Sequence, residues 1–266
     1  MKLFKFWLFL IFVIGLPNGG TMDVVLSGET EELDMVLIPS GEFLMGAKDD
    51  EGRPDECPQH KVYLDSFYLD RFEATGEDFQ KYLSNNPDQH PTIVGWWGRQ
   101  VRPEMKKRPV IGLSWKRCND YCEWKGKRLP TEAEWERAAA GLEGRKYPWG
   151  SDAPNEKRAN FNRCCFIMKG LTTAEVGSYH LGATPDGIYD LSGNIAEWVY
   201  DWYDKNYYKN SEYSNPRGPK NGTHRTIRGG AWNSLSGYLR SSARFGFDEA
   251  KDFYGIGCRC AKSLNK

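Results

Sequence analysis

Between residues 144 and 221 the chain carries no long segment with the period of a helix or a strand; turn residues and aromatic rings follow one another instead. A compact domain seldom holds structureless connections longer than ~12–15 residues unless they have work to do. The fold must therefore be one that tolerates long, ordered loops. The supply of rings agrees with this: 10 Trp, 14 Tyr and 13 Phe in 266 residues, with 28 Gly to turn the chain between them. Large rings joined by glycine-rich connections point to a core low in regular structure and pinned by aromatic packing.

Regular elements are expected on either side of that stretch. Residues 35–46 read as two short strands around a Ser40-Gly41 turn, residues 47–59 as a charged loop, and residues 60–68 as one strand, with Val62, Leu64 and Phe67 alternating. Thr75 can cap a helix whose apolar stripe is Phe79, Tyr82 and Leu83, and Asn85-Asn86-Pro87 stops it. Ser114 can cap a second helix, with Trp115, Cys118, Tyr121 and Cys122 on one face. Thr131-Glu132-Ala133-Glu134 is a capping box that opens a third, closed by Gly141. Two strand-like pieces follow, over residues 225–232 and 255–261. The sum is an α+β chain with few helices and short strands.

Charge and leader limit the partners. The 36 Lys+Arg balance 36 Asp+Glu, so nothing global draws the chain to nucleic acid or an anionic membrane. Residues 1–20 have a basic start at Lys2 and Lys5, an apolar run from Phe6 to Leu16, and a break at Pro17. That run of about 11 residues is short of the ~20 needed to span a bilayer. It reads as a signal peptide or an N-terminal anchor, followed by a linker over 21–32, and places the chain outside the cytoplasm, secreted or periplasmic. Export makes disulfides the first reading of Cys57, Cys118, Cys122, Cys164, Cys165, Cys258 and Cys260. No CxxC is present, which argues against a structural zinc site.

Four groups of residues, in order, resemble the formylglycine-generating enzyme (sulfatase-modifying factor) superfamily. The first is Met35-Val-Leu-Ile-Pro-Ser-Gly-Glu-Phe-Leu-Met-Gly46 with residues 67–75. The second is Pro109-Val-Ile-Gly-Leu-Ser-Trp115, running on to Lys127-Arg-Leu-Pro-Thr-Glu-Ala-Glu-Trp-Glu136. The third is Tyr147-Pro-Trp-Gly150 with Gly187-Ile-Tyr-Asp-Leu-Ser-Gly-Asn-Ile-Ala-Glu-Trp198. The fourth is Arg228-Gly-Gly-Ala-Trp232, residues 240–244, and Gly255-Ile-Gly-Cys-Arg-Cys260. Each alone is weak; together they are specific and cover about residues 33–262, the expected domain. The resemblance implies an irregular C-type-lectin-like fold with long ordered loops.

The resemblance also frames the chemistry. Enzymes of that family oxidise a substrate cysteine with copper held by two cysteines just after the Gly-Gly turn. Here Ser234 matches the first and the neighbourhood of Ser236 and Gly237 the second, and no Cys lies between residues 165 and 258. Soft Cu(I) calls for thiolates. The chain therefore resembles a divergent member without copper, and no catalytic residue can be named. The iron-dependent branch of the superfamily needs clustered histidines, whereas His60, His90, His180 and His224 are scattered. Calcium is the metal the resemblance implies. Asp190, the carbonyls of Gly193 and Ile195, and Glu197 match a family site whose oxygen donors suit a hard cation. The plainer alternative is a capped turn with Glu197 in a salt bridge. A second family site, beginning at Asn160 and Phe161, lacks its downstream Asp.

Family members join cysteines matching Cys122 and Cys260. Cys118 lies one helical turn before Cys122, and Cys258 two residues before Cys260, so a second bridge, Cys118–Cys258, is expected beside the first. Arg225, Arg228, Arg240, Arg244 and Arg259 are expected to pair with Glu132, Glu134, Glu136 and Glu197 inside the domain. In the alternative, Arg240 and Arg244 line a ligand cleft with Trp232, Asn233, Ser234 and Tyr238, walled by Phe245 and Phe247. Function follows from these expectations: an exported domain that binds or assembles a peptide, glycan or protein. The alternatives are an oxidoreductase working through residues other than cysteine, and a lectin-like receptor using the loop over 233–238.

Overall fold

The computed structural model describes residues 34–92, 95–163 and 172–264. The expected leader and linker, and Cys164 and Cys165, lie outside them. Strands β1 (Met35–Ile38) and β2 (Gly41–Met45) flank Ser40 but form no hairpin. β2 pairs with β3 (His60–Leu64), and β1 with β4 (Phe67–Asp70). The single strand expected over 60–68 breaks at Asp65-Ser66, where the Ser66 hydroxyl accepts the Ser40 N–H at 2.9 Å. Each half thereby serves a different sheet.

The helices begin where local chemistry places them. α1 (Gly76–Asn85) is capped by Thr75, whose hydroxyl accepts the Asp78 N–H at 3.2 Å, and it buries Phe79, Tyr82 and Leu83. A hairpin of β5 (Trp96–Trp97) and β6 (Gln100–Val101) follows. α2 (Trp115–Trp124) has Ser114 at its cap position, but that hydroxyl makes no capping bond. α3 (Glu132–Ala140) has the full reciprocal capping box of Thr131 and Glu134 and ends at Gly141, with φ +68°. Every residue of α3 is buried, its glutamates included. Among the described residues, no helix is long and apolar enough to cross a membrane.

The longest strand, β7 (Ala196–Trp202), falls in the stretch read as turns and rings. It is buried on both faces and carries the buried acids Glu197 and Asp201, so its sequence shows no apolar alternation. Its sheet runs β10-β7-β8-β9, with β8 at Arg225–Arg228, β9 at Arg244–Phe247 and β10 at Ile256–Gly257. β10 is parallel to β7, and the other pairs are antiparallel. The strand expected over 225–232 stops early because Gly229 and Gly230, at φ +86° and +70°, swing the chain off the sheet. The piece expected over 255–261 splits into β10 and β11 (Ala261–Ser263), and β11 completes a second sheet ordered β1-β4-β11.

Trp135 and Trp198 are fully buried, and the Trp198 indole donates to the Leu113 carbonyl at 2.8 Å. Trp124, by contrast, is 39% exposed and packs against Tyr82 and Tyr121 at the rim. Cys122 and Cys260 form a disulfide that ties α2 to the segment before β11. The second expected bridge is absent: Cys118 and Cys258 are buried thiols. The fold does bring the two side chains together, as expected, within hydrogen-bonding reach of each other, but leaves them unjoined. Cys57 is also a buried thiol.

Candidate functional site

After β8 the Gly229-Gly230 turn returns the chain over the sheet. A Cβ on Gly230 would stand 3.1 Å from the Tyr238 carbonyl, so this return is tight and suits glycine. The loop that follows forms one wall of a cleft of about 370 Å³. Asn233, Ser234, Leu235 and Tyr238 come from that loop, and Ile227, Phe245 and Phe247 from the paired strands β8 and β9. Phe253 and Ile256 close the far side. The rings touch: Tyr238 meets Phe245 edge-on at 5.2 Å between centroids, and Phe247 lies 5.7 Å from Phe253. Leu235, Phe253 and Tyr238 are 60%, 43% and 37% exposed, so the apolar wall continues to the mouth. A larger groove of about 730 Å³ runs past Tyr63, Arg128 and Arg217. Its lining mixes Tyr63, Leu64 and Leu264 with as much polar surface, and its Arg128 is already paired with Glu134, so the smaller, mainly apolar cleft is the better ligand site.

Of the residues expected in a cleft, Asn233, Ser234, Tyr238, Phe245 and Phe247 are there. Trp232 is not; it is buried beneath the loop, where its carbonyl accepts the Arg163 N–H at 2.8 Å. Nor are the two arginines. Arg240 turns away to Glu56, with Nη2 2.8 Å from Oε1, and Arg244 is fully buried on Glu132. A guanidinium pairs with whichever carboxylate the fold brings to it, and here both carboxylates are fully buried. The internal-network expectation fits better. Arg228 binds Glu132 and Glu136, Arg244 binds Glu132, and Arg259 binds Glu197. Three expected members differ: Arg225 pairs with Glu249, Arg240 with Glu56, and Glu134 with Arg128. Leu235 lies in the loop over 233–238 expected as a binding surface, whereas Ile227, Phe253 and Ile256 are cleft residues that sequence reasoning missed, although the apolar pair Phe253-Tyr254 in an acidic loop was a visible signal.

At the position matching the family's first copper cysteine, the Ser234 hydroxyl accepts the Ala231 N–H at 2.9 Å and closes the turn. Among the described residues no thiol or imidazole lines the cleft. Its oxygen and amide donors do not suit a soft copper ion, so no oxidative step is derived through one.

The expected calcium donors lie on the loop entering β7. Asp190 is buried at φ +59°, and its carboxylate accepts the Gly177 N–H at 2.7 Å. Burial pushes its carboxyl up to about 6. Glu197, however, accepts Arg259 Nε and Nη2 at 2.7 Å and the Trp135 indole N–H at 2.8 Å, so both its oxygens are engaged within the chain. Glu73, unnoticed in the sequence, joins them: it accepts the Asn194 amide at 2.6 Å and the Ile195 N–H at 3.2 Å. Burial, then repulsion from Asp190 and Glu197, raises its carboxyl well above the ordinary range. Three buried carboxyl groups thus share one guanidinium. Among the described residues no group of three or more His, Cys, Asp or Glu side chains is arranged to hold a metal ion, and of the expected calcium donors Glu197 serves Arg259 instead.

A fold of short strands and pinned loops, with a cleft behind the Gly-Gly turn, defines the class. The chain belongs to the sulfatase-modifying factor enzyme 1-like domain family, whose model matches residues 23–264. It is similar to the formylglycine-generating enzyme of Streptomyces coelicolor, 33% identical over 86% of this chain and 89% of that protein. It is 40% identical to the serine/threonine-protein kinase pkn1 of Chlamydia pneumoniae over 87% of this chain, and it spans 38% of that protein's length. Among solved structures, PvdO from Pseudomonas aeruginosa superposes with a TM-score of 0.71 at 28% identity, covering 86% of this chain and 94% of that one.

Proposed function

We propose that the chain is an exported binding module of its family, which takes an apolar side chain of an extended peptide or protein segment into the aromatic cleft. The observation that carries this reading is the cleft wall itself, where four rings and several aliphatic side chains surround a space with few polar groups. A glycan would need many hydrogen-bonding partners, whereas an apolar peptide side chain needs few. Ser234, spent on its own turn, argues against the family's copper oxidation at this position. Export rests on the leader pattern and suits a disulfide-bearing domain.

Calorimetric titration with peptides differing only in one Phe-to-Gly exchange tests the reading. The Phe peptide is expected to bind and the Gly peptide not. Stoichiometric copper in the purified protein, with oxygen uptake on a thiol peptide, would overturn it in favour of an oxidoreductase.

Calcium is proposed as a structural ion held by Asp190 with the Gly193 and Ile195 carbonyls. Thermal melts with calcium chloride against a chelator check this. A higher Tm with calcium, lost in Asp190→Ala, is expected, and identical melts would remove calcium from the account.

A further inference from the structure

The loop before β3 brings Arg53 against the outer side of β9. Its guanidinium carbon lies 4.0 Å from the centroid of Phe245 and 5.9 Å from that of Tyr238, so it sits against two rings of the cleft wall. Its edge donates to the Arg244 carbonyl, to Asp55 at 3.2 Å and to Glu56 at 3.1 Å. These contacts fix the arginine as a ridge.

Arg53 also lines a second cavity, of about 510 Å³, together with Pro54, Asp55, Tyr203, Lys205 and Lys209. The two cavities flank β9. Phe245 and Phe247 face the first. Tyr203, which lines the second, packs directly on Gly246, where a Cβ would stand 2.5 Å from its ring.

The second cavity has a charge excess. Arg53 is already paired with Asp55 at 3.2 Å and with Glu56 at 3.1 Å, and Asp55 also accepts the Tyr203 hydroxyl at 2.7 Å, so the excess is carried by Lys205 and Lys209. The Lys209 ammonium reaches only the Asn206 amide oxygen, at 3.4 Å, and Lys205 has no acidic partner among the described residues. An apolar cleft and a basic cavity therefore share one wall.

We infer that the segment this protein binds is acidic: an aromatic or aliphatic residue anchored between Tyr238, Phe245 and Phe253, with carboxylates a short step along the chain that cross the Arg53 ridge to Lys205 and Lys209. The inference rests on the binding-module reading above and names its ligand class. One buried ring holds a peptide only weakly. Complementary charge at an adjoining site discriminates among peptides with the same anchor and speeds encounter.

Fluorescein-labelled peptides test it: one Phe and two Glu separated by one to three Gly, in either order along the chain. Controls exchange Glu for Gln, or Phe for Gly. The Phe–Glu peptide is expected to bind at least tenfold more tightly than Phe–Gln. That advantage should vanish at ~0.5 M salt, where the screening length is only about 4 Å. It should also vanish in a Lys205→Glu/Lys209→Glu variant that melts like the parent. Equal affinity for the Phe–Glu and Phe–Gln peptides would overturn the inference and leave the apolar-cleft reading standing. Acidic peptides binding equally with and without Phe would show the basic cavity acting alone, which also overturns it. If no Phe peptide binds at all, the binding-module reading falls, and the inference with it.

Discussion

Arg244 meets Glu132 edge-on inside the domain, Nε and Nη2 each 2.7 Å from a different carboxylate oxygen, with neither side chain reaching solvent. Arg228 approaches the same carboxylate at 2.9 Å and holds Glu136 at 2.6 Å. The Tyr208 hydroxyl lies 3.3 Å from both acids. Burial alone would raise the Glu132 carboxyl, but Arg244 and Arg228 together hold it below its ordinary value. This network joins α3 to β8 and β9, and so fixes the strands that floor the cleft.

Glu132→Gln leaves two buried guanidinium groups short of charge. Removing one partner of a buried pair typically costs ~3–5 kcal/mol. Urea unfolding should show a loss of that order. A loss under about 1 kcal/mol would mean that the network is relaxed by water.

Asp201 is a buried carboxyl that accepts the Glu132 N–H at 2.8 Å and has no cationic partner among the described residues. Burial, then repulsion from Glu132, pushes it up to about 8. A raised folded-state value means the native protein holds the proton that the unfolded chain has lost. The stability this group contributes is therefore complete below about 4 and drains away as pH rises to about 8. The slope is ~1.4 kcal/mol per pH unit for one proton. Asp201→Asn should flatten the pH dependence of unfolding between pH 5 and 8, and an unchanged slope would refute the assignment.

Cleft and scaffold should separate in mutants. Tyr238→Ala and Phe253→Ala are expected to weaken peptide binding by roughly 5–30-fold, the effect of losing an aromatic anchor of ~1–2 kcal/mol. Their melting should stay close to the parent. Arg240→Ala, which removes one of the two guanidinium partners of the buried Glu56, should lower the melting temperature and leave affinity per folded molecule unchanged. The reverse pattern would place Arg240 in the ligand site.

The four cysteines between α2 and the tail should behave as one bridge and two sealed thiols. Burial, with the neighbouring Cys258, raises the Cys118 thiol well above its ordinary range. Maleimide should label neither Cys118 nor Cys258 in the native protein, and both after guanidinium denaturation. Cys122→Ala/Cys260→Ala should cost ~2–5 kcal/mol, as expected when a long loop loses its cross-link. Recovery of a Cys118–Cys258 peptide on non-reducing mapping would contradict the assignment.

What could be read from residues alone was largely what neighbours in sequence decide. Thr75 and the Thr131–Glu134 box mark two helix starts because a cap and its orphan N–H lie three residues apart. Ser114 marks its helix start correctly, yet its hydroxyl is not used. β7 was hidden because Glu197 and Asp201 sit where apolar residues are normally expected, each compensated by a distant partner. The cleft was half legible. Tyr238, Phe245 and Phe247 follow the family turn closely enough to be placed, but Arg240 and Arg244 carry the same charge as any ligand-binding arginine. Only the tertiary positions of Glu56 and Glu132 show that they face inward. The seat of Arg53 on Phe245 joins distant parts of the chain and leaves no trace in local pattern.

The sheet ordered β1-β4-β11 has one further consequence. Its outer strands are the first and last of the described domain, and both lie against β4, so they are two strand spacings apart, ~10 Å. Both run antiparallel to β4 and therefore parallel to each other, so polypeptide enters the domain at the Asp70 end of β4 and leaves at its Phe67 end. A longer chain would pass through this sheet from one end to the other, with the cleft, on the other sheet, beside its path.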